Sequence, residues 1–423
     1  MTNSIFFDTL VTTNNLNVMI HAISFKNFYS FSEEASIDFE VNSNAPKNNG
    51  YFTAPSDTRL SKVLTVIGPN ASGKTNLLKP IPFLKWLIVD SFMDHPTDPL
   101  PLNPFLFCDK KDTPTEFSAT FEIDSDIFIY SFILNKERIL EEDLKIQNKT
   151  KENITKKTLF NRKWQSEEKK YLFSATNFSL PKDFGNESLL RSNASVISTA
   201  MRLNHSASKK IGDFWEKVKT NVFEAGWVGD RFFSADETDL IDAFNFFSEN
   251  EDLKQKAEKL LARFDLGFNQ FDIKKEKRDN GFSINVQTVH YFDGHHRHLP
   301  IQYESSGTKQ LFMLLKTILH VLAHGGVAVL DELDVNLHPD MILALFELFL
   351  SPETNPKNAQ ILFSTHSHRI LNELDKYQLI LVEKNEKGAS ESWRLDEMDG
   401  VRPDDNYYAK YIAGAYGAIP NIN

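Results

Sequence analysis

The sequence predicts an α/β fold with a parallel, helix-covered β-sheet, and two observations carry this prediction. The last third of the chain alternates helical and strand patterns, beginning with "GTKQLFMLLKTILHVLAH" and "GVAVLDEL" and ending with "QLILVEK". Earlier in the chain, the apolar run "KVLTVI" leads directly into a glycine-rich turn and then into a helical pattern. Such alternation indicates parallel strands, because a helix returns the chain before the next parallel strand begins.

The composition and the net charge limit the classes of protein to which the chain can belong. The 423 residues suffice for two lobes or for one domain with a large insertion, and the composition is ordinary for a soluble globular protein. The formal net charge of -11 argues against a basic coat for duplex DNA but leaves room for a local basic groove. The single cysteine, Cys108, excludes a disulfide within the chain and favours a cytoplasmic location. No apolar run approaches the roughly 20 residues of a membrane span.

The N-terminal part predicts an extension followed by two strands. Residues 1–18 lack a basic segment and a cleavage site, so we expect an N-terminal extension and not a signal peptide. Met1 and Met19 both remain candidates for the native start. The stretches "HAISFKNFYSF" and "EASIDFEV" have strand patterns and are joined by an acidic turn.

The run "KVLTVI" predicts a buried strand, and "TNLLKPIPFLKWLIVDSF" predicts a helix that Pro80 and Pro82 should kink. "TEFSATFEID" and "DIFIYSFILN" alternate with period two around turn residues, which predicts a hairpin, and "RILEEDLKI" predicts a third strand. Residues 19–145 and 286–423 are expected to form one domain, with 146–285 as a mainly helical insertion.

The predicted insertion begins with a lysine-rich stretch. Lysines cluster between residues 149 and 170, but Glu152, Glu167 and Glu168 interrupt them. We expect a solvated, flexible loop there, with contact to nucleic-acid phosphates as the weaker alternative. Helical patterns follow between residues 187 and 266, and strand patterns return at "GFSINVQTVHYF".

Two stretches outside the main motifs each predict a further feature. "DGHHRH" lies between two strand patterns, and adjacent histidines in a strand point to opposite faces, so a polar hairpin loop is favoured over a metal site. The C-terminal "YYAKYIAGAYGAIP" is apolar and aromatic. It is expected to pack on the chain's own sheet, with docking of a partner as the alternative.

The glycine-rich turn "GPNASGKT" matches the phosphate-loop pattern G-x-x-x-x-G-K-[ST]. Its glycines let backbone N–H groups curl around phosphates, Lys74 reaches the outer phosphates, and the Thr75 hydroxyl is the expected ligand of Mg²⁺. The helix that follows adds the positive end of its dipole. The residues predicted to hold the phosphates are Gly68, Asn70, Ala71, Ser72, Gly73, Lys74, Thr75 and Asn76.

Carboxylates and a histidine end two further buried strands. "VAVLDELD" places Asp331 and Glu332 at the end of a strand, where Asp331 can hold Mg²⁺ and Glu332 can polarise the attacking water. "ILFSTHS" ends at His366, which a neighbouring strand would bring close to the terminal phosphate. On this motif alone, a structural role for His366 is equally compatible.

A second anion site is predicted at "ESSGTKQLF". Ser305, Ser306 and Gly307 offer a hydroxyl and free backbone N–H groups at the start of a helix. An ordinary helix cap explains the same residues. Their position, after the phosphate loop and one helix length before "LDE", is the order that a composite site needs.

In this order the four motifs resemble the ABC-type (P-loop) ATPase heads of the SMC, Rad50 and RecF group. The resemblance implies a head with a mixed sheet and an inserted, mainly helical lobe. The phosphate loop corresponds to Walker A, Ser305–Gly307 to the signature loop, Asp331 and Glu332 to Walker B, and His366 to the switch histidine. The resemblance implies ATP and Mg²⁺ as ligands. It also implies a homo-oligomer in which Walker A of one chain and the signature loop of another enclose each ATP.

The sequence resembles the RloA- and AbiL-like ATPases of bacterial abortive-infection loci more closely than it resembles the SMC-like heads. The stretches that carry this resemblance include "MIHAISFKNFYSF", "NPFLF" and "KYIAGAYGAIP". This resemblance implies an anti-phage switch that answers a phage-derived trigger and controls a separate effector, often a nuclease. Only 57 residues follow His366 (423 minus 366), too few for a fused nuclease domain. The alternative is a DNA-repair ATPase of the SMC and RecF type that binds DNA directly.

The sequence departs from the SMC-like pattern at several positions. Tyr29 stands where many such heads carry a basic residue, His338 stands at the end of the D-loop in place of Asp, and Ser306 replaces the first glycine of the signature. No glutamine near Phe105–Phe107 can be assigned to the Q-loop. The Walker residues themselves are all present.

Overall fold

The computed structural model of the chain describes residues 18–107, 113–149, 154–181, 184, 189–222, 235–264, 266–278, 281–334 and 337–420. Cys108 and residues 1–17 of the predicted extension lie outside them. In chain order the strands are β1 (Val18–Lys26), β2 (Ala35–Asp38), β3 (Tyr51–Thr53), β4 (Arg59–Ser61), β5 (Val63–Ile67), β6 (Thr115–Ile123), β7 (Asp126–Leu134), β8 (Ile139–Lys149), β9 (Ile154–Gln165), β10 (Lys170–Ser174), β11 (Val218–Thr220), β12 (Phe268–Arg278), β13 (Gly281–Phe292), β14 (His295–Pro300), β15 (Val327–Leu330), β16 (Gln360–Ser364), β17 (Leu379–Lys384) and β18 (Ser390–Arg394). The helices are α1 (Lys74–Leu78), α2 (Pro80–Val89), α3 (Val196–Arg202), α4 (Ser206–Glu216), α5 (Ala235–Glu249), α6 (Glu251–Arg263), α7 (Ser306–His324), α8 (Pro339–Leu350) and α9 (Tyr407–Ile412). None of these described helices is both long and apolar enough to cross a membrane.

The central sheet has the strand order β11-β15-β16-β5-β17-β18. Neighbouring strands from β11 to β17 are parallel, and β18 closes the edge antiparallel to β17. Every residue of β5, β15 and β16 is buried, as expected for parallel strands covered on both faces. The predicted α/β class is confirmed, and β18 makes the sheet mixed.

The central sheet separates two hydrophobic cores, because successive strand residues point to opposite faces. On β5, Leu64 and Val66 belong to the first core, which α2 and the antiparallel strands share. Val63 and Ile67 belong to the second core, which α7 and α8 share. The C-terminal segment adds Tyr411 to the second core. The predicted packing of this segment on the chain's own fold is therefore confirmed.

A second sheet is antiparallel throughout, with the order β10-β9-β8-β7-β6-β1-β2. The predicted hairpin consists of β6 and β7, which turn between Ile123 and Asp126. The predicted third strand is β8, paired with β7 along its length. Both predictions are confirmed.

The lysine-rich stretch forms strands where it is described, so the predicted flexible loop is wrong there. Strand β9 pairs with β8, and β10 pairs with β9. The first four residues of β9 are exposed, but Leu159 and Phe160 are buried in the first core. These two apolar anchors and the paired backbone hold the strand in the sheet, while Lys156 and Lys157 stay exposed to solvent.

Residues 146–285, predicted as a mainly helical insertion, contain helices α3 to α6 and also strands β9 to β12. Strand β11 pairs with β15, with Val218 opposite Val327, and forms one edge of the central sheet. Trp215 of α4 is buried in the first core, and Leu261 of α6 is buried in the second. The segment thus packs on both cores, and the domain boundaries at 145 and 286 stay a prediction.

The helix after the phosphate loop is interrupted where the prolines predict it. Helix α1 ends at Leu78 and α2 begins at Pro80, which has no N–H to continue the pattern. Lys79 keeps helical dihedral angles, φ -57° and ψ -28°, and accepts a hydrogen bond from Phe83 N at 3.1 Å. The backbone therefore stays helical through the break.

The "DGHHRH" stretch forms the predicted hairpin. Asp293 and Gly294 have φ values of 50° and 75°, as a two-residue turn between antiparallel strands requires. The histidines lie in β14, where His295 pairs with Phe292 and His296 with Tyr291. They therefore belong to the strand and not to the loop itself.

A buried ion pair joins the antiparallel sheet to the segment before α3. The Arg162 guanidinium contacts the Glu142 carboxylate, and both side chains are fully buried. Arg162 also donates to the carbonyl oxygens of Arg191 and Ala194, at 2.9 and 3.0 Å. Glu142 accepts from Val196 N at 2.8 Å. Both ions thus bond to the backbone of residues 191–196, and Glu142 also accepts a hydrogen bond from the Tyr130 hydroxyl.

We expect Arg162→Met to lower the free energy of unfolding by about 3–5 kcal/mol, because it leaves the Glu142 carboxylate buried without its cation. Chemical denaturation measures the change. Lys163→Met is the matched control, since Lys163 pairs with Glu141 across the same two strands but with largely exposed side chains. That control should change stability by less than about 1 kcal/mol, and equal effects of the two variants would contradict the interpretation.

Candidate nucleotide-binding site

The phosphate-loop turn joins the end of β5 to the start of α1, and close packing explains its two glycines. A Cβ atom on Gly68 would lie 2.1 Å from the carbonyl oxygen of Val382 on β17. Gly73 has a φ of +115°, and a Cβ atom there would lie 2.3 Å from the Ser390 hydroxyl. Only glycine fits at either position. The turn is therefore pressed against β17 and β18.

Lys74 directs its amine into this turn. Its Nζ donates to the carbonyl oxygens of Gly68 and Pro69, each at 3.0 Å. Burial lowers the pKa of Lys74, whereas the negative charges of Asp331 and two neighbouring carboxylates oppose that shift. Its present partners are neutral carbonyl groups, which an anionic phosphate would replace with a stronger, charge-assisted contact. The cradle therefore fits a phosphate.

Hydroxyl and amide groups from distant parts of the chain support the turn. Ser390 Oγ donates to the Ser72 carbonyl at 2.5 Å and lies 2.8 Å from Ser30 Oγ. Asn76 Nδ2 donates to the same Ser30 hydroxyl at 2.9 Å. Ser30 and Ser390 belong to no sequence motif, and no local pattern predicts their role, because Ser390 is 318 residues from Ser72.

Groups beside both neighbouring strands hold the segment after β15 that carries Asp331 and Glu332. Ser364, the last residue of β16, donates to Asp331 Oδ1 and accepts from Glu332 N at 2.8 Å. Asn221, just after β11, accepts from Asp331 N at 2.7 Å and donates to Asp331 O at 3.1 Å. Glu332 has a φ of 48°, a left-handed conformation that is uncommon outside glycine. Its side chain is exposed, whereas Asp331 is fixed in orientation.

His366 lies beside the acidic groups, because β16 lies between β5 and β15 and pairs with both. Its backbone N donates to Asp334 Oδ2 at 2.9 Å, and its side chain is exposed. His368, which no sequence motif singled out, lies nearby. Burial lowers the pKa of His368, and the positive charges of His366 and Lys74 lower it further. One edge of the sheet thus gathers the phosphate loop, the carboxylates and His366.

The predicted signature residues begin α7 and cap it. Ser305 Oγ accepts from Thr308 N at 3.1 Å, and the side chains of Ser305 and Ser306 are exposed. Glu304 ties the preceding turn to β13 through hydrogen bonds of 2.5 and 2.8 Å. Among the residues that the structure describes, no hydrogen bond or ion pair joins Ser305, Ser306 or Gly307 to the phosphate loop. The two halves of the predicted composite site are not bonded within one chain.

The class of phosphate-loop ATPases is defined by a parallel sheet that has a lysine-bearing glycine turn and strand-end carboxylates at the same edge. The chain belongs to a family of that class. Its residues 63–372 match the family model described as "AAA domain, putative AbiEii toxin, Type IV TA system". Comparison with curated protein sequences gave no match.

The solved structures that are similar to the chain include three SMC heads. The SMC head domain from Thermotoga maritima is 15% identical with a TM-score of 0.40, covering 89% of this chain and 98% of that one. An SmcHead bound to the C-winged helix domain of ScpA is 13% identical with a TM-score of 0.42, covering 89% and 98%. A Smc head domain with an extended coiled coil, bound to the C-terminal domain of ScpA derived from Pyrococcus furiosus, is 13% identical with a TM-score of 0.43, covering 90% and 97%.

We expect Lys74→Ala to weaken ATP binding by about 100-fold, because the phosphate charge loses its cation. Titration of the protein with a fluorescent ATP analogue measures the dissociation constant. Lys387→Ala is the control, since Lys387 is exposed in the turn between β17 and β18. Wild-type affinity in the Lys74 variant would contradict the assignment of the phosphate loop.

We expect Ser364→Ala to raise the Mg²⁺ concentration needed for half-maximal ATP hydrolysis by about tenfold, because Asp331 loses the hydroxyl that orients it. Steady-state hydrolysis measured over a Mg²⁺ series at saturating ATP gives this value. A variant with lower turnover but an unchanged Mg²⁺ requirement would show that Ser364 does not act through Asp331.

Proposed function

We propose that the chain binds Mg²⁺-ATP and hydrolyses it as a molecular switch. The observation that carries this proposal is the position of Lys74. Its amine lies inside the glycine turn and within electrostatic reach of Asp331, at the edge where β5, β16 and β15 end side by side. A cation held over such a turn binds phosphate oxygens, and a carboxylate beside it binds the phosphate's metal ion.

The oxygen ligands at this edge fit Mg²⁺, which prefers carboxylate, hydroxyl and water oxygens. The Thr75 hydroxyl and the Asp331 carboxylate would hold the ion, and when bound it neutralises charge on the outer phosphates. Asp331 is already oriented by Ser364 and Asn221, so it loses little conformational freedom on binding. The backbone N–H groups of the turn other than Pro69, which has none, would bind the phosphates, with Lys74 as the cation.

Glu332 and His366 carry the chemical step in this proposal. Glu332 orients a water molecule and accepts its proton, since its carboxylate is exposed and its backbone is fixed by Ser364. His366 donates a hydrogen bond to the terminal phosphate, which stabilises the charge that develops during hydrolysis. Its place at the end of β16, between the two other strands, supports this role.

A second copy of the chain completes each ATP site in this proposal. Ser305 and Ser306 are exposed at the start of the 19-residue helix α7, where the helix dipole favours an anion. Within the part of the chain that the structure describes, the Ser305 hydroxyl bonds to Thr308 of its own turn and to no other residue. The start of α7 is therefore open to a partner's ATP. Two chains related by twofold symmetry would then share two such sites.

We assign the switch to anti-phage defence of the abortive-infection type, with a separate effector that is a nuclease. The family description, which names a toxin of a type IV toxin–antitoxin system, supports this assignment. The motif resemblance to RloA- and AbiL-like ATPases supports it as well. ATP-dependent pairing would change the surface that the chain offers, and a phage-derived trigger would act by biasing that equilibrium.

Direct binding of DNA, as in a DNA-repair ATPase, has less support. In the described part of the lysine-rich strands, Lys163 pairs with Glu141 and Lys170 pairs with Glu168. These ion pairs reduce the positive charge available to a nucleic-acid backbone. Salt-dependent gel shifts test the point, and tight duplex binding at moderate salt would favour the DNA-repair function.

We expect Glu332→Gln to bind ATP normally but to hydrolyse it at least about 100-fold more slowly, because the general base is removed while the phosphate contacts remain. The paired form should then accumulate with ATP and be visible by native mass spectrometry. Glu347→Gln, on the exposed face of α8, is the control and should keep wild-type turnover. Undiminished hydrolysis in Glu332→Gln would remove this residue from its role.

A further inference from the structure

Lys79 and Tyr29 form a cation–aromatic pair beside the phosphate loop. The Lys79 amine lies 3.8 Å from the centre of the Tyr29 ring. Lys79 follows Thr75 by four residues in continuous helical backbone, so the two side chains share one face of the helix. Helical side chains slant towards the N-terminus, and the Lys79 stem therefore runs back towards the phosphate loop.

Several contacts hold Tyr29 in one position, and its backbone conformation is strained. Its φ of 50° is uncommon for a bulky residue. Its backbone N donates to the Asn103 carbonyl at 2.7 Å, and Asn103 Nδ2 donates to its hydroxyl at 3.0 Å. Phe28 packs edge-on against the ring, with ring centres 4.8 Å apart. Strain that so many contacts maintain next to a binding site indicates a functional constraint.

Lys79 places a positive charge one helical turn beyond Thr75. Its side chain is partly buried, and among the described residues it forms no ion pair. Burial lowers the pKa of Lys79, and the negative charge of Asp331 opposes that shift. An aromatic ring attracts an ammonium group without neutralising its charge. Because the ring contacts the ammonium group from one side, N–H donors on the other side can still bind an anion. The charge is therefore available to an anion near Asp331.

We propose that Lys79 is a second phosphate-binding cation of this site and that Tyr29 is the residue that positions it. The proposal rests on the proposed binding of ATP. It specifies the terminal phosphate, because Lys79 lies on the same helix face as Thr75, whose hydroxyl would hold the metal ion that neutralises charge on the outer phosphates. Lys79 thereby favours ATP over ADP, and the Tyr29 ring keeps its amine near the loop before the nucleotide arrives.

The test compares Mg²⁺-dependent binding of fluorescent ATP and ADP analogues to the full chain and four variants. Lys79→Met is expected to weaken ATP binding about tenfold and ADP binding less than about twofold, while Lys79→Arg stays close to wild type. Tyr29→Leu removes the ring and should weaken ATP binding about threefold, whereas Tyr29→Phe keeps the ring and should change it less than about twofold.

The decisive quantity is the ratio of the ADP to the ATP dissociation constant within each variant, which partial unfolding does not alter. A wild-type ratio in Lys79→Met would overturn the proposal. Lys74→Ala is measured in parallel to separate two kinds of failure. If that variant keeps ATP binding, the ATP site itself is wrong. If it loses ATP binding while Lys79→Met keeps the wild-type ratio, only the role of Lys79 is wrong.

Discussion

The site depends on one constraint: strand β16 is hydrogen-bonded to β5 on one side and to β15 on the other. Because the three strands are parallel, their C-terminal ends lie at the same edge of the sheet. The register then places Ser364 where its hydroxyl contacts Asp331 and the backbone of Glu332. A slip by one residue would turn Ser364 to the opposite face. Main-chain pairing therefore fixes the relation between the phosphate loop and the carboxylates before any side chain acts.

The phosphate loop is similarly fixed by the fold around it. Gly68 lies against the backbone of β17, and Gly73 lies against Ser390 at the start of β18. Ser30, which follows β1 of the antiparallel sheet, bonds to both Ser390 and Asn76. Both sheets thus hold the same turn. A cradle preorganised in this way needs little rearrangement when a charged ligand binds, which is what electrostatic stabilisation of a reaction requires.

Features with a local cause could be predicted from the sequence, whereas features with a distant partner could not. The glycine turn, the hairpin of β6 and β7 and the strand-end carboxylates each follow from a few adjacent residues. Ser390 and Asn221 are different, because their bonds to Ser72 and Asp331 span 318 and 110 residues. The lysine-rich stretch was wrongly predicted to be a loop, because its many lysines were given more weight than Leu159 and Phe160, the apolar residues that anchor it in the sheet. Arg162, which lies in that stretch, is fully buried against Glu142.

The central claim is that two chains share each ATP, with Lys74 from one and Ser305 from the other. The most direct measurement mixes two variants, Lys74→Ala and Ser305→Arg, and follows ATP hydrolysis. Each variant alone damages every shared site and should be inactive. In the mixture half of the dimers combine both variants and retain one intact site of two, which predicts about a quarter of the wild-type rate. A mixture as inactive as its components would contradict the claim.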